Sequence, residues 1–148
     1  MSRLGSQIEV DLPVGPPEVR AAIADYVRKI STDYPDEVLS VTLYGSQARG
    51  DGEIGSDIDL FVVVRELTST LLESLEGLAW EVQFNRGVVI SDVIRSEGHF
   101  RQMRVNRFPY YRSLEREGIL LWKRASVRWG TFLTKRTKSI GSASWTWG

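Results

Sequence analysis

The sequence predicts a single small α/β domain, and three observations support that fold class. Short apolar runs rich in β-branched residues alternate with longer segments whose apolar residues recur at helical spacing. Glycine and proline separate these segments. A chain of 148 residues can bury one adequate core and little more. We therefore expect a small mixed β-sheet with helices packed mainly on one of its faces.

The elements follow one another between residues 18 and 124. A helix over residues 18–30 precedes a strand over 38–44, and a second strand covers 57–64. A helix over 67–84 is closed by Gly87, which suits the left-handed conformation of a helix end. A third strand, rich in β-branched residues, covers 88–94. Short helices over 97–105 and 109–117 and an apolar element over 119–122 complete the domain.

The two ends of the chain lack such patterns. Residues 1–17 are irregular because they contain the breakers Pro13, Gly15, Pro16 and Pro17, and residues 125–148 are polar enough to predict a flexible tail. The chain has no cysteine, so disulfides and thiolate metal sites are excluded. The first residues lack the apolar core of a signal peptide, and no apolar run approaches the ~20 residues that span a bilayer. We expect a cytoplasmic protein with no membrane contact.

The charge is unevenly distributed. Residues 1–100 carry an excess of nine acidic side chains, whereas residues 101–148 carry an excess of nine basic ones. A basic surface can attract a nucleotide, a nucleic acid or an acidic protein, but the same side chains can equally serve as a solvated helix face.

Two aspartates lie one residue apart at the start of the second predicted strand. Alternate side chains of a strand point to one face, so Asp57 and Asp59 project the same way, about 7 Å apart along the backbone. Two neighbouring carboxylates repel each other unless a cation joins them. Mg²⁺ prefers oxygen ligands and brings substrate phosphates with it. The pair therefore indicates a magnesium site.

A turn before this strand is suited to bind those phosphates. Gly45 lets the backbone approach a ligand closely, and Ser46 is predicted to cap a short helix that runs to Arg49. Free N–H groups and a hydroxyl would then face an anion. Arg49 adds a planar cation suited to a phosphate or to a nearby carboxylate.

These residues resemble a known signature. Gly45, Ser46, Ala48, Arg49 and Gly50, followed after five residues by Ser56, Asp57, Ile58, Asp59 and Leu60, are similar to the motif of the DNA polymerase β-type nucleotidyltransferase superfamily. The short chain resembles the minimal nucleotidyltransferases, which are often the antitoxin partners of HEPN toxins. The resemblance covers roughly residues 18–122 and is strong over residues 43–64.

The resemblance implies a reaction and a set of roles. A nucleoside monophosphate, expected to be AMP from ATP, would pass to an acceptor hydroxyl with release of pyrophosphate. Asp57 and Asp59 would hold two Mg²⁺ ions, and Gly45, Ser46, Arg49 and Ser56 would contact the nucleotide. The superfamily places a third carboxylate on a later strand, and Asp92 is the only acid within the predicted third strand. A strand-end role without metal is the alternative for Asp92, and Glu81 and Glu97 are weaker substitutes.

Three functions remain open at this point. The acceptor could be a tyrosine of a HEPN toxin, which the chain would then neutralise by modification. Alternatively, the chain could be a catalytically vestigial module that neutralises a toxin by contact alone. Nucleotidyl transfer to a small molecule is less favoured because no second domain would hold that acceptor, and a nucleic acid is not expected as the direct substrate.

Overall fold

The structure, a computed structural model, describes residues 16–50, 52, 55–125 and 127. The predictions for residues 1–15 and 128–148, which include most of the N-terminal segment and of the tail, lie outside the described residues. The described part contains helices α1 (Pro17–Asp33), α2 (Gly45–Arg49), α3 (Ser69–Arg86), α4 (Glu97–Val105) and α5 (Pro109–Glu117), and strands β1 (Val38–Tyr44), β2 (Ile58–Val64), β3 (Ile90–Ser96) and β4 (Ile119–Lys123).

The predicted order of elements is confirmed. β1, α4 and α5 have the predicted bounds, and the remaining elements differ by one to three residues at their ends. α1 begins at Pro17 because proline fits the first helical position, where its missing N–H is not needed. α3 begins after Thr68, whose side chain accepts the N–H of Leu71, and it ends at Gly87 with a φ of 68°, as the cap prediction required.

The four strands form one mixed sheet. Their order across the sheet is β3-β2-β1-β4. β1 pairs antiparallel with both β2 and β4, whereas β2 pairs parallel with β3. The mixed sheet expected from the sequence is therefore confirmed, with β1 and β2 at its centre.

Helices cover both faces of this sheet. The two longest helices, α1 and α3, pack on one face, which we call the α1/α3 face, against residues that include Ile58, Leu60, Val62 and Val64. The shorter helices α4 and α5 pack on the opposite face, the α4/α5 face, against Phe61 and Val63. The second cover goes beyond the expectation of helices mainly on one face, and it follows from β2 being apolar on both sides. Within the described ranges, no helix is both long and apolar enough to cross a membrane.

Candidate functional site

The two aspartates lie at the entrance to β2. Asp59 is the second residue of the strand, and Asp57 precedes it by two positions. Alternation along the strand places Asp59 on the same face as Phe61 and Val63, which is the α4/α5 face. Asp57 is exposed and Asp59 is partly buried. The carboxylate pair thus lies at one edge of the sheet with access to solvent.

The surroundings of Asp59 disfavour its ionised form. Partial burial raises the pKa of Asp59, and the nearby charge of Asp57 raises it further. The guanidinium of Arg49 lowers the pKa of Asp59 but does not outweigh the other two effects. A cation bound between the two carboxylates would relieve both costs, because it stabilises their ionised forms.

Gly45 is in contact with this carboxylate. Its φ is 77°, which is a backbone conformation that glycine adopts without steric cost. A Cβ at position 45 would lie 3.1 Å from Cγ and 3.3 Å from Cβ of Asp59, and closer still to a carboxylate oxygen. The close approach predicted at Gly45 therefore includes one to a functional side chain of its own chain.

The two serines of the motif both precede the aspartates in the sequence. The prediction that Ser46 caps α2 is wrong, because the helix starts at Gly45 after Tyr44 and has no side-chain cap. Ser46 lies within the first turn and is half-buried. Ser56 is also half-buried and directly precedes Asp57. Both serines are close in sequence to the aspartate pair or to the turn that contacts it.

Arg49 closes the turn and is bound from α5. Its Nη1 lies 3.1 Å from Oε1 of Glu117, at the end of that helix. The guanidinium is nevertheless near enough to Asp59 to lower the pKa of that carboxyl. The charge of Arg49 therefore acts on both Glu117 and Asp59.

Asp92 does not join the pair, which corrects the expectation that it faces Asp57 and Asp59. In the parallel pairing of β2 with β3, Asp92 is opposite Leu60, while Asp59 is opposite Ser91. Paired residues share a face, so Asp92 points to the α1/α3 face. There the buried Tyr26 donates a hydrogen bond of 2.9 Å from its hydroxyl to Oδ2 of Asp92. Burial raises the pKa of Asp92, an effect that the Tyr26 hydrogen bond partly offsets.

The two substitutes for Asp92 also lie away from the pair. Glu81 is on the exposed side of α3, where its carboxylate is 3.7 Å from Nζ of Lys29. Glu97 follows the end of β3, whose last residue pairs with Val64. Along β2, Val64 is five residues from Asp59, a distance of about 17 Å. Among the described residues, no group of three or more histidine, cysteine or acidic side chains is placed to hold a metal ion.

Three residues near the pair were not predicted from the sequence as site residues. Tyr44 is opposite Asp59 in the sheet, and its hydroxyl accepts a 2.7 Å hydrogen bond from the hydroxyl of Tyr110. Burial raises the pKa of both phenols, with Asp59 contributing to the rise and Arg95 opposing it. Arg95 of β3 is opposite Val63 of β2 and so lies on the α4/α5 face. The sequence does not reveal this contact, because nothing in the local pattern connects residue 110 with residue 44.

The donor set of the site fits a magnesium ion. Two carboxylates lie near each other at the entrance to β2, and the like charge of Asp57 raises the pKa of Asp59. Hard oxygen ligands of this kind, completed by water and substrate phosphates, are typical of Mg²⁺ sites. Asp57 and Asp59 are therefore the residues that would hold the ion.

Comparison with known proteins establishes the class. Residues 23–117 match the family model of the nucleotidyltransferase domain. The match covers well over half of the chain and contains the turn, the aspartate pair and α5. The chain belongs to this nucleotidyltransferase family, and the family and enzyme class expected from the motif are confirmed.

Two relatives and one solved structure show in more detail what the chain is similar to. The chain is 29% identical over 101 residues to MJ0604 of Methanocaldococcus jannaschii, covering 68% of this chain and 95% of that one. It is 31% identical over 78 residues to MJ0141 of the same organism, covering 52% and 79% respectively. Both relatives are provisionally named protein adenylyltransferases. A crystal structure of a toxin-antitoxin with AMP-PNP aligns with 66% of this chain and 71% of its own, with 18% identity and a TM-score of 0.49.

Proposed function

We propose that the chain is a Mg²⁺-dependent nucleotidyltransferase that moves AMP from ATP onto a hydroxyl of a partner protein. The single observation that carries the proposal is the contact between Gly45 and the Asp59 carboxylate, with Asp57 beside it. This contact supports the proposal, because the turn would bind phosphates and the adjacent carboxylates would bind the metal of a nucleotide. The protein adenylyltransferase names of MJ0604 and MJ0141 support AMP as the group transferred and a protein as its acceptor.

Each side chain would have a distinct role in this reaction. The acceptor oxygen forms a bond to the α-phosphorus of ATP, the bond to the pyrophosphate oxygen breaks with release of pyrophosphate, and the proton of the acceptor hydroxyl passes to water. Asp57 and Asp59 would hold Mg²⁺, which neutralises charge on the phosphates and on the leaving group. The backbone at Gly45 and the hydroxyl of Ser46 would contact the β- and γ-phosphates, and Arg49 and Ser56 would support that loop. Positioning and charge neutralisation carry most of the rate in such transfers.

The acceptor that we propose is a tyrosine of a HEPN-type toxin, for which this chain would be the antitoxin. The proposed antitoxin role can arise from modification or from contact alone, and the two make different demands on Asp57 and Asp59. Modification needs both carboxylates, whereas contact does not.

The test combines a transfer assay with a toxin-neutralisation assay on the same variants. Purified chain, labelled ATP, Mg²⁺ and a co-purified HEPN partner are incubated, and both proteins are weighed by mass spectrometry. With the wild-type chain we expect one or more AMP units on the partner. With Asp57→Asn or Asp59→Asn we expect neither the AMP-modified partner nor neutralisation of the toxin. Neutralisation that survives both substitutions would instead indicate contact alone. Absence of labelled product with the wild type would contradict the transferase proposal.

A further inference from the structure

Helix α5 contacts the turn at both of its ends. Near the start of α5, Tyr110 donates a hydrogen bond of 2.7 Å to Tyr44, the residue that immediately precedes Gly45. At the end of α5, Glu117 accepts a hydrogen bond of 3.1 Å from Arg49, the last residue of α2. The two contacts are separated by seven residues of helix, or about 10 Å. One rigid element therefore spans the whole turn.

The helix is itself firmly attached to the sheet. Tyr111 and Leu114 on its inner side are buried in the core of the α4/α5 face. At the helix end, a Cβ on Gly118 would lie 2.9 Å from Cγ2 of Thr42, a residue of β1. β1 leads directly into the turn, so α5 is fixed against the strand that carries Gly45. Such packing transmits small displacements rather than absorbing them.

From this arrangement we propose that Tyr110 and Glu117 are positioning residues that hold the nucleotide-binding turn through Tyr44 and Arg49. The inference rests on the proposed function, because it assigns these two side chains to the same nucleotide site. Neither side chain needs to touch the nucleotide. Glu117 restrains the guanidinium of Arg49, whose charge acts on Asp59.

The same helix offers a matched control. Glu115 also forms an ion pair with an arginine, since one of its carboxylate oxygens lies 3.4 Å from Nη1 of Arg107. The side chains of Glu115 and Glu117 are similarly accessible, at 31% and 23% exposed. Arg107 lies between α4 and α5, away from the turn. Substituting Glu115 thus removes another ion pair of α5 without touching Arg49, while Arg116, the second partner of Glu117, lies 3.8 Å from Oε2 of Glu117.

The experiment measures binding of Mg·AMP-PNP, a non-hydrolysable analogue, to the full chain by calorimetry. For Glu117→Gln we expect the Kd to rise about fivefold, equivalent to ~1 kcal/mol. For Tyr110→Phe, which keeps the ring and removes only the hydroxyl, we expect a rise of about threefold to tenfold. Glu115→Gln should bind like the wild type. In steady-state transfer, KM for ATP should rise in both positioning variants by more than kcat falls.

Coupling to Arg49 separates positioning from a general loss of structure. Arg49→Ala should weaken binding by itself, and adding Glu117→Gln to it should cause no further loss, because the side chain that Glu117 holds is already gone. Additive losses, or wild-type affinity in both Glu117→Gln and Tyr110→Phe, would overturn the inference while leaving the proposed function intact. If the wild type itself fails to bind Mg·AMP-PNP, the proposed function and the inference fail together.

Discussion

The contact between Gly45 and Asp59 makes a quantitative prediction about the substitution Gly45→Ala. The residue has a φ of 77°, which costs a residue with a side chain about 1–2 kcal/mol. The new methyl group would also lie 3.1 Å from Cγ of Asp59, so the carboxylate has to move. Turning a side chain off its preferred rotamer adds about 0.5–1.5 kcal/mol. We expect the free energy of unfolding to fall by about 1.5–3.5 kcal/mol in total.

The chain contains a control for the backbone part of this cost. Gly87 ends α3 with a φ of 68°, and a Cβ there would meet no atom within 4 Å. Gly87→Ala should therefore lower the free energy of unfolding by only about 1–2 kcal/mol and leave transfer unchanged. In Gly45→Ala, by contrast, the displaced Asp59 should reduce transfer by about 100-fold, the usual size for a misplacement of about 1 Å in an active site.

Urea denaturation followed by fluorescence gives the stabilities, and label transfer from ATP gives the activities at a temperature where both variants are folded. The informative quantity is the activity difference between two folded variants with the same backbone cost. Wild-type transfer in folded Gly45→Ala would refute the reasoning, because it would mean that the Asp59 carboxylate has no fixed position in the reaction.

Three further predictions concern the carboxylates and the turn. Asp57→Ala and Asp59→Ala should each abolish Mg²⁺-dependent transfer and weaken Mg·AMP-PNP binding in calorimetry, while circular dichroism shows an intact fold. Ser46→Ala should raise KM for ATP by about tenfold, since a hydrogen bond to a charged group contributes ~1.5 kcal/mol; an unchanged KM would remove Ser46 from the site. Asp92→Asn should leave transfer within about twofold of the wild type, because Asp92 faces away from the pair. Because the folded-state pKa of Asp92 is raised, the native state keeps a proton that the unfolded state loses, and wild-type stability falls as pH rises from ~3.9 through that pKa. Asp92→Asn lacks this loss, so urea denaturation should find it more stable than the wild type at pH 7 and closer to it at pH 4.

The motif was predictable because its parts are joined through a short connection. β1 and β2 are consecutive antiparallel strands, so Tyr44 at the end of one is opposite Asp59 at the start of the other. A glycine at the turn and two aspartates at the following strand must then be neighbours, whatever the rest of the chain does. Local spacing decided this part of the candidate site.

The direction of Asp92 was less accessible from the sequence, since it depends on register. Ile90 and Ile94 have the same parity as Asp92 and pack in the core of the α1/α3 face, but Val93 has the opposite parity and packs on the other face. Because apolar residues occupy both sets of alternating positions in β3, the sequence does not decide on which face of the sheet Asp92 lies. The parallel pairing of Leu60 with Asp92 settles it, and that pairing joins strands separated by the whole of α3.

The contacts of α5 illustrate a further limit. Tyr110 and Tyr44 are 66 residues apart, and Glu117 and Arg49 are 68 residues apart. Helical spacing predicts where α5 begins and ends, and which side of it is apolar. It does not show that Tyr110 contacts Tyr44. Nor does it show that Glu117, rather than Glu115, contacts Arg49. Only the packed sheet brings these pairs together.

The corrected position of Asp92 also changes how the proposed reaction is understood. The side chains of β3 that share the face of Asp59 are those of Ser91, Val93 and Arg95, a hydroxyl, an apolar group and a cation. None of these three can supply the third carboxylate that the resemblance implied on this strand. The proposed binding of Mg²⁺ and nucleotide therefore depends on Asp57 and Asp59 together with the turn that Gly45 begins. Loss of either carboxylate should consequently be far more damaging than any substitution along β3.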